Sequence, residues 1–287
     1  MSGAWHDILM ITYNRPVFTR KALSRLLDSC DSQMRVWIWH NGTDRATLDV
    51  VKELRAHPNV HRVEICEENK KLREPTNWFW ETSDGEFLSK VDDDCLLPDG
   101  WGQTLRQALT DAPELGIVAC WRFYEEDFVP ELAEKKIVTL PSGHRLMRHH
   151  HVQGSGYAMK RDVYRRAGPI RDAESFTGYC QRAAATGWEL GWYFPFLHEE
   201  HMDDARSIHY PHRTDSEFMA NRPLTAINEG VRSLAEWRAR SAWLARQLQG
   251  DRSSAKSLFG WRGIGRKLRR RLSKLLGRQE PWRTPGP

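Results

Sequence analysis

EFLSKVDDDCLLPDGW, residues 86–101, is a mostly apolar run that ends in three adjacent carboxylates, Asp92, Asp93 and Asp94. Residues 86–91 read as a strand. Adjacent like charges repel, and a buried carboxylate without a partner is costly. In an α/β sheet, ligands bind beyond the carboxyl ends of the strands. In extended backbone, Asp92 and Asp94 share one face and Asp93 points the other way. Two same-face carboxylates suit a hard divalent cation with oxygen ligands, Mg²⁺ or Mn²⁺, which can also hold a diphosphate. The alternative is a solvated acidic turn that caps the next helix.

The same alternation extends outward. DILMIT (7–12) reads as a buried strand, VFTRKALSRLLDS as an amphipathic helix, MRVWIWH (34–40) as a strand and RATLDVVKELRAH as a helix. VHRVEI is strand-like, EPTNWFWETS helical with Pro in its first turn, and LGIVAC (115–120) a strand; Asp99 is expected to cap the helix GWGQTLRQALTD. This order predicts a doubly wound, mainly parallel sheet flanked by helices. Residues 121–150 look irregular or hairpin-like. HVQGSGYAMK and WELGWYFP read as further strands, ESFTGYCQRAAATG as a helix, and residues 215–249 as mainly helical with a break at Pro223.

Bulk numbers exclude several classes. The 287 residues fit one large domain with appendages, and 13 Trp within a 40% apolar composition can build a substantial core. Apolar runs are too short to span a bilayer, and the N-terminus lacks the pattern of a secretory signal. Five Cys (30, 66, 95, 120, 180) without a CxxC pair favour reduced thiols in a cytosolic protein. The net charge of +5 is unevenly spread: residues 251–287 hold 11 Lys/Arg against 2 Asp/Glu, which leaves −4 on the preceding 250. Basicity belongs to the tail, so no nucleic-acid partner is expected from the pI.

The series ILMITYNRP, WIWHNGTD, ENKKLREPTNWFW and GEFLSKVDDDCLLPDGW resembles glycosyltransferase family 2, with the GT-A fold. The likeness continues through GSGYAMKRDVYRRAGPI and YCQRAAATGWELGWYFP and covers about residues 7–210. It implies an inverting enzyme that moves a sugar from a nucleoside-diphosphate donor to a hydroxyl acceptor, usually with a divalent cation. The chain is thus expected to divide into a GT-A domain over 1–214, which the resemblance implies, and, from the helical pattern and the charge split, a helical extension over 215–250 and a basic tail over 251–287.

By this resemblance, Thr12, Tyr13, Asn14 and Arg15 hold the base and ribose, with Tyr13 as a stacking face. Arg73 and Lys90 are phosphate partners; for each, a solvated charge is the alternative. Asp92 contacts ribose or metal, Asp94 binds metal, and Asp93 competes with them if the alignment slides by one. His201, in FPFLHEEHMDD, is the late His that the family gives to the metal, with His198 as fallback. HEEH is not the HExxH of zinc proteases, since its His residues are three apart. The run RHHHV (148–152) has metal-ligating side chains but reads as an exposed strand or loop on the acceptor side.

Two positions depart from the family pattern. His40, followed by Asn41 in HNGTD, stands where an Asp commonly reads uracil, which leaves guanosine and thymidine donors open. The family's Glu-Asp pair precedes an Arg by seven and six residues. Counting back from Arg182 gives Ser175 and Phe176 instead. An inverting transfer needs a base near the acceptor hydroxyl. Glu174 is the choice, ahead of Asp172.

In the tail, Leu258, Trp261, Ile264, Leu268, Leu272 and Leu275 recur at helical spacing, with Arg and Lys over the other faces. A basic amphipathic helix reads as a contact to an anionic membrane surface. The sequence thus points to a cytoplasmic protein, peripheral at the inner face of the cell membrane. Its donor is a nucleotide sugar, its acceptor a glycan or lipid-linked saccharide of envelope assembly. A catalytically silent sugar-nucleotide-binding protein and a nucleotidyltransferase are the other classes.

Overall fold

Alternating strands and helices order the first 119 residues of the computed structural model, which describes residues 4–258. In chain order these are β1 (His6–Thr12), α1 (Pro16–Asp28), β2 (Met34–Asn41), α2 (Arg45–Leu54), β3 (Val60–Cys66), α3 (Arg73–Thr82), β4 (Phe87–Asp92), the two-residue β5 (Cys95–Leu96), α4 (Trp101–Asp111) and β6 (Leu115–Ala119). The chain divides into two compact units. Among the described residues, 4–122 and 137–200 form the first, and 123–136 and 201–258 form the second.

The first unit adds β7 (Ile137–Thr139), β8 (Arg145–Arg148), β9 (Tyr157–Lys160), α6 (Arg161–Ala167), α7 (Phe176–Ala185) and β10 (Glu189–Phe194). Its nine-stranded sheet has the order β3-β2-β1-β4-β9-β6-β10-β8-β7. β1 runs parallel to β2 and β4, and β6 runs parallel to β10. β9 lies antiparallel between β4 and β6, and β8 and β7 extend the far edge as a hairpin. The sheet is therefore mixed and mainly parallel in its first half. Consecutive residues Ile8, Leu9 and Met10 are all fully buried, as expected of a strand covered on both faces. Parallel register brings Thr12 opposite His40 and Ile11 opposite Asp92, so the three strands end along one edge.

The expected Asp99 cap is not made. α4 opens behind Gly100, whose φ of 68° needs a residue without Cβ, and Asp99 instead takes an ion pair from Arg25 at 2.9 Å.

The second unit gathers a short segment with the C-terminal helices. It contains α5 (Pro130–Ala133), the two-residue β11 (Glu200–His201, whose second residue opens the unit), α8 (Asp215–Ala220), α9 (Leu224–Asn228) and α10 (Leu234–Gly250). Ala205, Tyr210, Phe218, Ala226, Val231, Leu234 and Trp237 form its core. Gln249 of α10 accepts from Val129 N–H at 2.7 Å and donates to the Asp127 carbonyl at 2.8 Å. Arg206 bridges Asp127 and Asp204, each at 2.8 Å. These long-range bonds explain why 123–136 belongs with α10. The amphipathic pattern at 258–275 lies outside the described residues apart from its first position. Among the described residues, no helix is long and apolar enough to cross a membrane.

One buried ion pair ties the start of the sheet together. Asp7 is fully buried; Arg35 donates to its two oxygens at 2.7 and 2.8 Å, and Gly85 N–H donates at 2.8 Å. A Cβ on Gly85 would sit 2.6 Å from the same carboxylate. Removing Asp7 leaves the Gly85 N–H without its acceptor and Arg35 with only the exposed Asp84, so Asp7→Ala is expected to cost about 2–3 kcal/mol, read from urea unfolding. A loss below about 1 kcal/mol would mean that water replaces the carboxylate.

Candidate functional site

The edge where β1, β2 and β4 end is held by loops with built-in constraints. Asp44 caps α2 by accepting from Thr47 N–H at 2.8 Å and from the Thr47 hydroxyl at 2.6 Å. Thr47 Oγ1 in turn accepts from Arg15 N–H at 3.0 Å, which fixes the chain as it enters α1. Asn14 makes the turn with φ 50°, a conformation Asn tolerates. The Tyr13 ring lies over Gly42, where a Cβ would come within 3.1 Å of it, and remains partly exposed.

Each carboxylate of the triplet goes to a different partner. The Lys90 ammonium, projecting from the same strand, donates to Asp92 and also to the Gly154 carbonyl at 3.0 Å. Asp93 turns to the β1–α1 loop, where it accepts from Tyr13 N–H at 3.3 Å and from the Thr19 hydroxyl at 3.1 Å. Asp94 takes Arg15 at 2.8 Å and lies 3.4 Å from the Cys95 thiol. Burial of its carboxyl, with the Asp94 charge beside it, pushes Asp93 up to about 7.

The donor set fits a hard cation. Asp92 and Asp94 offer only oxygens, the preference of Mg²⁺ and Mn²⁺. Burial, with the charges of Glu199, Asp94 and Asp92 around it, holds the Cys95 thiol well above its ordinary range. Without a metal, Cys95 therefore stays a thiol.

Other expected site residues have different surroundings. Thr12 and His40 are both fully buried and meet at 2.9 Å, and burial keeps the imidazole neutral by lowering its pKa. Among the described residues His40 Nε2 has no hydrogen-bond partner. Asn41 accepts from Trp39 Nε1 at 2.9 Å and Lys70 N–H at 3.0 Å and donates to the Lys71 carbonyl at 3.1 Å, so it pins the loop after β3. Arg73 pairs with the exposed Asp172 at 3.1 Å.

Glu174, the expected base, is bonded at both oxygens. Arg182 donates to its two oxygens at 2.9 and 2.7 Å, and Arg171 N–H adds a third bond at 2.9 Å. Bonding from Arg182 holds the carboxyl below the usual range. A carboxylate engaged at both oxygens clamps the α6–α7 connection. Phe176 stacks on Tyr157 with ring centres 4.5 Å apart.

The His run is corrected. His149 and His150 are buried, and His151 is half-buried, not an exposed strand. Their nitrogens lie within 4.8 Å of one another. Yet the rings of His149 and His150 stack at 4.2 Å and 29°. Ring lone pairs lie in the ring planes, so stacked rings do not converge on one ion; the run is aromatic packing against Trp192. His201 is half-buried and opens the second unit, while His198 lies in the first, bridged to Trp121.

Ser155 escaped the sequence reading, and Glu199 entered it only among the acids that could replace Glu174 as base. Ser155 Oγ accepts from Asp92 N–H at 3.0 Å, and its hydroxyl donates to the fully buried Glu199. Glu199 lies inside the HEEH string, where attention went to the histidines.

Comparison with known proteins follows this geometry. A family model described as glycosyl transferase family 2 matches residues 7–168. EpsH of Bacillus subtilis (strain 168), whose own glycosyltransferase assignment is provisional, is 30% identical over 115 residues. That match covers 40% of this chain and spans about a third (32%) of the relative's length. A mannosyltransferase from Pyrobaculum calidifontis, solved with GDP-Man and Mn²⁺, shares the fold at a TM-score of 0.58 and 15% identity, over 95% of this chain and 87% of that one. S. aureus TarS (1–349) with UDP-GlcNAc gives 0.52 and 15%, over 88% and 75%. GalNAc-T7 with UDP, GalNAc and Mn²⁺ gives 0.53 and 11%, over 70% and 44%.

Asp93 provides a pH test. Its folded pKa lies above the unfolded value of about 4, so the folded state binds the extra proton between those values. Its contribution to stability is therefore present at low pH and lost as pH rises toward 7. Asp93→Asn mimics the protonated form. Relative to wild type, it should match stability near pH 4 and gain roughly 1 kcal/mol per pH unit up to neutrality, measured by urea unfolding across pH. A difference that is flat in pH would show that Asp93 is ionised throughout.

Proposed function

The chain belongs to glycosyltransferase family 2, and from that premise we propose that it transfers a sugar from a nucleoside-diphosphate donor to a hydroxyl of a glycan or lipid-linked acceptor, with inversion. One observation carries the reading. Asp93 turns inward to Tyr13 and Thr19, and the two remaining carboxylates, Asp92 and Asp94, each face a cationic side chain, Lys90 and Arg15. That constellation suits a phosphate group arriving with its counter-ion. Asp92 and Asp94 would hold Mg²⁺ or Mn²⁺, with His201 as the proposed third ligand from its place two residues after Glu199 in the chain. The ion supplies Lewis-acid neutralisation of the departing diphosphate. Lys90 and Arg15, released from the carboxylates, are placed to turn to phosphate oxygens. Tyr13 offers the nucleobase a stacking face, and Thr12, His40 and Asn41 hold that loop edge in place.

The commitment of Glu174 to Arg182, with Phe176 packed on Tyr157, favours a second reading: a sugar-nucleotide-binding protein without turnover. Both readings expect Mn²⁺-dependent binding of GDP or UDP; only the enzyme releases nucleoside diphosphate when donor sugar and acceptor are both present. The GDP-Man and UDP-GlcNAc complexes of the structural neighbours make those two donors the first to test.

Asp94→Ala is expected to remove the metal-dependent part of nucleotide affinity, with the melting curve of the protein retained. Isothermal titration with GDP and UDP, with and without Mn²⁺, reads this directly. Undiminished metal dependence would move the cation away from Asp94. For the tail, removal of residues 259–287 should abolish flotation with anionic vesicles, and wild-type flotation should weaken as salt rises.

A further inference from the structure

Glu199 is a fully buried carboxylate behind the Asp triplet. Two donors converge on it. The Ser155 hydroxyl donates to one oxygen, and Gln153 Nε2 donates to the other at 3.1 Å. The Gln153 donor cannot reverse its role. Gln153 Oε1 accepts from Trp192 Nε1–H, which can only donate, and Gln153 Nε2 also donates to the Cys120 carbonyl, which can only accept. The amide is thus oriented from both ends. Ser155 Oγ also accepts from Asp92 N–H at 3.0 Å. Glu199 is therefore tied to an oriented carboxamide on one side and, through Ser155, to the Asp92 backbone on the other.

The backbone is shaped around this group. Gly156 has φ 59°, and a Cβ there would stand 2.4 Å from a Glu199 oxygen. Gly156 N–H donates to the Lys90 carbonyl at 2.9 Å, and its own carbonyl accepts from Cys120 N–H at 2.8 Å. Glu199 therefore lies flat on the segment that joins β4 to β6. Its charge also reaches the site: with Asp94 and Asp92, it is among the charges that hold Cys95 protonated.

We infer that Glu199 is a positioning residue for the cation-binding edge. Through Ser155 it fixes the Asp92 amide and hence the direction of the Asp92 carboxylate, and its charge deepens the negative potential of the triplet. This rests on the proposed cation reading of Asp92 and Asp94. Glu199→Gln keeps the volume but adds a donor, which must either oppose Gln153 or take from Ser155 its role as donor to position 199. Ser155→Ala cuts the link and leaves the charge.

The test titrates Mn²⁺ into the full-length protein with GDP or UDP present, followed by Mn²⁺ electron paramagnetic resonance. Loss of an outer-shell partner of this kind weakens metal affinity by about tenfold or more, and both variants should show it. Because the residues act in one chain, the double variant should be little weaker than Glu199→Gln alone. Nucleotide affinity without metal should change little. A second readout needs no metal: hydrogen exchange at the Asp92 amide should accelerate in Ser155→Ala, while β1 and β2 keep their protection. If Glu199→Gln does not fold, Ser155→Ala decides by the same two measurements. Unchanged Mn²⁺ affinity with unchanged Asp92 exchange in folded Ser155→Ala overturns the inference alone. Absence of nucleotide-linked Mn²⁺ binding in wild type overturns the cation reading and this inference with it.

Discussion

Repulsion among three consecutive carboxylates is the constraint around which the strand-end edge is built. β4 stops at Asp92, the last residue in register with β1, and the chain leaves the sheet there. The three side chains are sent in three directions and neutralised in three ways: Lys90 for Asp92, Tyr13 N–H and Thr19 for Asp93, and Arg15 for Asp94. Two of those solutions require the β1–α1 loop to be where it is. That loop is set in turn by the Arg15–Thr47–Asp44 chain at the start of α2. The strand order β2-β1-β4 is what makes these parts neighbours. A shift of one residue in β4 would move each carboxylate to its neighbour's place and break all three of these pairings.

Much of this was legible in the sequence because it is local. Hydrophobic alternation located β1 to β4 and their helices, and the abrupt change at Asp92 marked where β4 ends. What escaped depends on distant partners. Nothing in YAMK tells that it enters the sheet antiparallel between β4 and β6. Nothing in residues 123–136 announces Gln249, more than a hundred residues away. Asp99 looked like a cap because Asp often is one, but Arg25 competes for it, and Gly100 makes the turn. Glu174 looked like a base because it is an acid at nearly the right spacing; Arg182, eight residues on, takes both its oxygens. The His run looked exposed because His is polar, although neutral imidazoles stack well on one another and on Trp192.

Glu199 shows the limit of motif reading from the other side. A carboxylate between histidines attracts a metal-ligand or catalytic reading. Its actual neighbours are a hydroxyl, a carboxamide and the backbone of a glycine in left-handed conformation. The direction of the Gln153 amide, fixed by Trp192 and Cys120, identifies the facing Glu199 oxygen as an acceptor.

The two ends of the proposed donor site use different physics. The end at Asp92 and Asp94 is ionic, with two cationic and two anionic side chains whose contacts can be exchanged when a diphosphate and its cation arrive. The end at Tyr13 and His40 is neutral: an aromatic face over Gly42, a buried imidazole held uncharged, and an Asn spent on the loop at Lys70 and Lys71. A neutral base stacked on one ring gains roughly 1–3 kcal/mol. Charge-assisted bonds to phosphate are individually stronger than neutral ones and act in a less solvated setting. With His40 in place of an ionised Asp, the base end lacks a charged acceptor at that position, so binding energy shifts toward the diphosphate. On the proposed cation reading, a donor held mainly by its diphosphate would be held mainly through the cation, and small changes in how Asp92 and Asp94 are aimed would then govern donor affinity as a whole.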